Sequence, residues 1–147
     1  MTATTELEVR PPLIIPMSDF RFLREIAAGT GVSQARGSVV AWLAEELDRA
    51  TVVPPGAVPP RVVTMHARVE YRDDVTDQVR CVTLTYPGEE DAYASGISVL
   101  TPVGAALVGL SEGHSIRWRT PSGGLRGLTV LRVRFAPHHA VTEVAVG

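Results

Sequence analysis

The chain has one cysteine, no lysine, few aromatic rings and no long apolar run. Cys81 alone cannot close an internal disulfide, which fits a reducing compartment; in a strand-like run it reads as a small buried apolar residue. No stretch approaches the roughly 18 apolar residues of a membrane-crossing helix. The start, Met-Thr-Ala-Thr-Thr-Glu-Leu-Glu, lacks the basic and apolar parts of a signal peptide, so a cytoplasmic location is expected. All 14 basic residues are arginine; beside abundant Ala, Val, Gly and Pro this reads as a coding bias and not as a functional signal. A net charge of −2 gives no general basic footprint for DNA or RNA, whose contact is expected to be indirect or weak; a local patch stays open. His66, His114 and the pair His138-His139 have no cysteine or acid at metal-ligand spacing, so neither metal nor cofactor is expected. The glycine-rich stretch Thr120–Gly127 has no lysine and no following helix, so it reads as a hairpin turn and not as a phosphate loop.

What remains is an ordinary globular composition, 45% hydrophobic and 20% charged over 147 residues, enough for one domain or one with a small appendage. Residues 1–17 read as a flexible arm ending in Pro11-Pro12 and a Leu13-Ile14-Ile15 run that can pin it to the body. Ser18 can cap a helix from Asp19 to about Ala28, with Phe20, Leu23 and Ile26 on one face. Ser33 can cap a second, from about Gln34 to Ala50. There Val40, Leu43, Ala44 and Leu47 form an apolar stripe while Glu45, Glu46 and Arg49 face water. Together residues 18–50 predict a short antiparallel helical hairpin. Residues 51–60 hold four prolines between Val52 and Pro60 and read as a linker.

Residues 61–136 read as sheet with one helix, followed by a tail, 137–147. His66–Arg72 alternates with Ala67, Val69 and Tyr71 on one side; Gln78–Tyr86 is its partner, and Asp73–Asp77 the turn between them. His114–Arg119 and Leu128–Phe135 are further strands. In the last, the apolar parity switches between Val130 and Leu131, which predicts a bulge. The fold class is therefore α+β: a helical hairpin, then a small, mostly antiparallel sheet on one short helix. Its expected core is Val99, Leu107, Leu110, Ile116, Trp118, Leu131 and Val133.

Ile97 to Gly109 packs a strand, a cap, a helix and a stop into 13 residues. Thr101 is a good N-cap, Pro102 fits the first helical position, where its missing N–H is harmless, and Gly109 is placed to end the helix left-handed. Together with Ala44-Glu45-Glu46-Leu47-Asp48-Arg49-Ala50 and Val62-Val63-Thr64-Met65-His66-Ala67-Arg68-Val69, this segment and its continuation through Glu112–Ile116 resemble the Rnk proteins (regulators of nucleoside diphosphate kinase), relatives of the bacterial Gre factors. The likeness covers about residues 33–136.

The resemblance implies an FKBP-like second module that docks on RNA polymerase at the rim of its secondary channel, through a coiled coil of a large subunit. By position it assigns polymerase contact to Ser98, Leu100, Thr101, Pro102 and Gly104; where the family often has an acid between Ser98 and Pro102, this chain has Leu100. Gre factors present two carboxylates at the tip of a long coiled coil, where they help to hold a catalytic Mg²⁺, an ion that prefers hard oxygen ligands. Here the tip, Ala27 to Ser33, has no acid, Glu25 stands alone, and the hairpin is short. The expectation is a monomeric, non-enzymatic polymerase-binding regulator without transcript-cleavage activity, inhibitory or competing with Gre-type factors. One alternative is an FKBP-type prolyl isomerase, which needs an aromatic-lined pocket that only Tyr71, Tyr86, Trp118 and Phe135 could supply. The other is an interaction module for a different partner. Arg117, Arg119, Arg132 and Arg134 are expected on one sheet face, with Arg68, Arg72 or Arg80. They form either a solvated surface or a patch turned toward polymerase or RNA.

Overall fold

The computed structural model describes residues 11–29, 37–120 and 123–134. Two helices, α1 (Met17–Ala28) and α2 (Gly37–Arg49), pack as a hairpin. Leu23, Leu43 and Leu47 are buried between them, and Arg24 pairs with Asp48 across the outside. Ser18 is not the cap: α1 begins at Met17, with Pro16 before it and no capping side chain. The chain enters the helix from a fixed strand instead. β1 (Ile14–Pro16) pairs in parallel with β2 (Thr51–Val53), so three residues of the expected arm and three of the expected linker form a small sheet at the hairpin's base. Leu13 and Ile15 are buried there, which is how the segment is pinned. The rest of the proline-rich stretch holds one 3₁₀ turn, Pro55–Ala57. The expected cap Ser33, Gln34 and most of the hairpin tip lie outside the described residues.

Glu46 was expected in water and is 1% exposed. Trp42, one turn earlier, donates its indole N–H to Oε2 at 3.2 Å, and Arg49 donates to Oε1 at 2.7 Å and 3.2 Å. These two long side chains fold over the carboxylate from positions four before and three after it, so its burial is compensated.

Beyond β2 lies a five-stranded sheet in the order β5-β4-β3-β7-β6. It comprises β3 (Arg68–Asp73), β4 (Val79–Thr85), β5 (Gly96–Ser98), β6 (Ser115–Arg119) and β7 (Leu125–Val133). The sheet is mixed, not antiparallel throughout: Leu84 faces Ile97 in a parallel pair. Residues 86–95, with a 3₁₀ turn at Glu90–Ala92, carry the chain back along β4 and so permit that direction. Just before β3, His66 is left-handed, with φ +71°, and its N–H still bonds the Leu84 carbonyl at 2.6 Å. The bulge falls where the parity switches. Tyr71 faces Val130 and Glu70 faces Arg132, leaving Leu131 unpaired. That extra residue turns Leu131 outward, to 39% exposed, so it leaves the expected core. Val99, Leu107, Leu110 and Ile116 are buried as expected, and Trp118 and Val133 are half-buried.

The inner face of the sheet carries Ala67, Val69, Tyr71, Leu84, Ile116, Leu128 and Val130. A short helix, α3 (Pro102–Leu107), lies against β4 and α2. All of its residues after Pro102 are buried, and three of them are Gly or Ala, which lets neighbours approach closely. Hairpin leucines, α3 and sheet belong to one apolar cluster. Among the described residues no helix is long and apolar enough to cross a membrane.

Candidate functional site

The link from β5 into α3 is built by one dense set of hydrogen bonds. The Ser98 hydroxyl accepts the Leu100 N–H at 3.0 Å, and its carbonyl accepts the Thr101 N–H at 3.0 Å and the Thr101 hydroxyl at 2.7 Å. The Thr101 hydroxyl in turn accepts the Gly104 N–H at 3.0 Å, which makes Thr101 the expected N-cap, with Pro102 at the first helical position. Gly104 is required by space: a Cβ there would stand 2.1 Å from the Ser98 carbonyl oxygen. Gly109, with φ +83°, stops the segment. Its N–H bonds Val63 at 2.9 Å, and its carbonyl accepts from Ile14 at 3.1 Å, so the stop also holds β1.

The five residues expected to contact a partner are thus gathered around one turn, but they are not equally presented. Ser98 and Leu100 are only 5% and 7% exposed, and Gly104 is buried. Leu100 belongs to the apolar cluster, so this position supports the turn from beneath. What the turn shows to solvent is Pro102, exposed, with half-buried Thr101 beside it.

The arginines do share a face. Arg117 faces Gly127 and Arg119 faces Leu125; Arg132 faces Glu70, and the Arg134 N–H bonds the Arg68 carbonyl at 2.8 Å. Directly paired residues project to the same side, so the register places all four on the face turned away from the core, with Arg68 and Arg72. Arg80 is not with them, because it faces Tyr71 on the other side.

A third grouping was not foreseen. His66 Nε2 lies 2.8 Å from Glu89 Oε1, and the imidazole stacks on Tyr93, with centroids 5.1 Å apart, and meets Tyr86 edge-on. Exposed Phe22 of α1 also meets Tyr86 edge-on, with centroids 5.7 Å apart. Burial, and then the charges of Asp19 and Glu89, push the Tyr86 phenol far above its ordinary pKa. Four separate stretches supply these rings, so no local spacing announces them. The rings that an isomerase pocket would need do not gather: Tyr71 is buried in the core, Tyr86 sits in this cluster, and Trp118 packs on Trp42 at 5.3 Å and under Arg126. Phe135 and His138-His139 lie outside the described residues. No metal-ligating group of three or more side chains occurs among the described residues. The glycine-rich stretch closes the β6–β7 hairpin, the Thr120 N–H bonding Gly124 at 2.8 Å.

Residues 58–135 match the family model "Transcription elongation factor, GreA/GreB, C-term". The "Regulator of nucleoside diphosphate kinase" of Escherichia coli K12 is 43% identical over 95 residues, which is 65% of this chain and 70% of that protein. The "Transcription elongation factor GreA" of Azorhizobium caulinodans is 32% identical over 97 residues, 66% of this chain and 61% of that protein. A solved "Prokaryotic transcription elongation factor GreA/GreB" from Nitrosomonas europaea superposes with a TM-score of 0.65 at 34% identity, covering 86% of this chain and all of that one.

Proposed function

This chain belongs to the GreA/GreB family of transcription elongation factors, and from that premise we propose that it binds RNA polymerase without stimulating transcript cleavage. The observation that carries the reading is the β5–α3 turn, where a buried hydrogen-bonded frame holds Pro102 out to solvent. A rigid apolar knob of this kind suits docking on a helical protrusion, because little side-chain freedom is lost on binding. The partner element is taken to be the large-subunit coiled coil at the rim of the secondary channel.

The second half of the reading rests on the hairpin. Between Glu25 and Glu45 the sequence has no acidic residue, so no carboxylate pair is available at the tip for Mg²⁺. With 12 residues, α1 reaches only about 18 Å. A factor that occupies the rim without supplying acids competes with cleavage factors or hinders nucleotide entry, so its net effect is inhibitory. It needs no cofactor and has no catalytic residue of its own.

Pull-down with core RNA polymerase tests the binding, and Pro102→Arg is the informative variant. Loss of capture with an unchanged melting temperature is expected. Capture equal to the parent chain, or loss matched by an equal fall in stability, would contradict docking through this turn.

A further inference from the structure

The outer sheet face has a charge that the chain as a whole does not. Arg68 and Arg72 on β3, Arg132 and Arg134 on and just beyond β7, and Arg117 and Arg119 on β6 stand on three adjacent strands. Against these six, the described residues of the same face offer two acids, Glu70 and Asp74, on a chain whose net charge is −2. Asp74 is occupied, accepting from Arg72 at 3.1 Å and from the Thr129 hydroxyl at 3.0 Å. Nearby, Glu112 is tied to the strand edge by the Val133 N–H at 2.8 Å. Among the described residues, Arg68, Arg117, Arg132 and Arg134 form no ion pair. At the opposite end of the sheet, Thr83 donates to the Ala94 carbonyl at 3.0 Å, so the acidic loop 86–95 covers β4 and bounds the basic area on that side.

The shape and lining of this area select among polyanions. Three strands at about 4.8 Å spacing make a strip roughly 10 Å wide, and five residues of β3 run roughly 13 Å along it. That admits one extended chain and is narrower than a duplex. The Arg117 stem lies over Gly127, where a Cβ would stand 3.1 Å from its Cγ, and among the described residues the face has no aromatic ring on which bases could stack. Guanidinium forks match phosphate oxygens in paired hydrogen bonds.

We infer that this face binds the phosphate backbone of single-stranded RNA, by charge and without reading sequence. The choice of RNA rests on the proposed place at a transcribing polymerase; the charge argument stands on the face alone. This surface lies on the opposite side of the sheet from α3, so RNA binding and docking through Pro102 are separable.

The test is fluorescence anisotropy of a labelled oligouridylate with the full chain, without polymerase. Binding that weakens with salt, by roughly 0.7 in log K per log unit of salt for each phosphate engaged, is expected. Arg117→Glu with Arg132→Glu should weaken it by about tenfold or more at low salt. The milder pair Arg117→Gln with Arg132→Gln should weaken it less, and Arg21→Glu with Arg80→Glu, the same charge change elsewhere, should leave it intact. No binding at micromolar concentration, equal losses from both glutamate pairs, or equally tight binding of polyglutamate would each overturn the inference. Polymerase capture by the Arg117→Glu, Arg132→Glu chain reports on docking independently, so failure of one reading is distinguishable from failure of the other.

Discussion

Gly104 shows how a single position can fix a local structure. Its missing side chain is what lets α3 cross the Ser98 carbonyl, where a Cβ would stand 2.1 Å away from backbone that is itself hydrogen-bonded in place. Gly104→Ala is expected to cost about 1–3 kcal/mol, read as a lower melting temperature, because neither the helix nor the strand end can move freely. Thr101→Ala removes a cap and should cost about 1 kcal/mol by the same measurement. Pro102 contrasts with both, since it is exposed and its replacement should be silent in stability. The motif was legible because a cap, a proline and a glycine each announce themselves by residue type. Which of its members face outward was not, because the five residues alternate around a turn whose packing is set by distant parts of the chain. Leu100 and Ser98, expected at a surface, support Pro102 from below.

At the scale of elements, the β3–β4 hairpin is tied by Asp73. One carboxylate oxygen accepts from the N–H groups of Val75 at 2.9 Å and Thr76 at 3.2 Å, and the other meets Arg126 at 3.3 Å. Burial alone would raise the Asp73 pKa; these bonds and the Arg126 charge outweigh it and hold the carboxyl below its ordinary 3.8. A carboxyl held low in the fold stabilises it above the unfolded value and ceases to do so as pH falls through the folded one. Stability is therefore expected to drop as pH is lowered past about 4, and Asp73→Asn should flatten that acid limb in thermal melts. The turn and the strand alternation could be read locally, and so could the β7 bulge, whose parity switch marks Leu131. The β1–β2 pair could not, because each strand has three residues and its partner lies beyond a whole helical hairpin. The burial of Glu46 is not legible for a related reason: the stripe marks where apolar residues lie, not where Trp42 and Arg49 fold over a neighbour.

Across the whole molecule, the hairpin is joined to the sheet by more than apolar packing. Glu46 holds the Trp42 indole, Trp42 packs on Trp118, Arg126 lies over the Trp118 ring, and Asp73 pairs with Arg126. Trp42→Ala is expected to cost about 3–5 kcal/mol and to lower one cooperative transition, not to split it, in calorimetry. The consequence for function is geometric: whatever holds Pro102 also fixes where the hairpin points. The most direct test is GreA-stimulated cleavage in a backtracked elongation complex as this chain is titrated in. A fall to the unstimulated level, reversed by Pro102→Arg, is predicted. Cleavage that rises with the chain, or stays constant at saturating concentrations, would contradict the reading of a docked, non-cleaving factor.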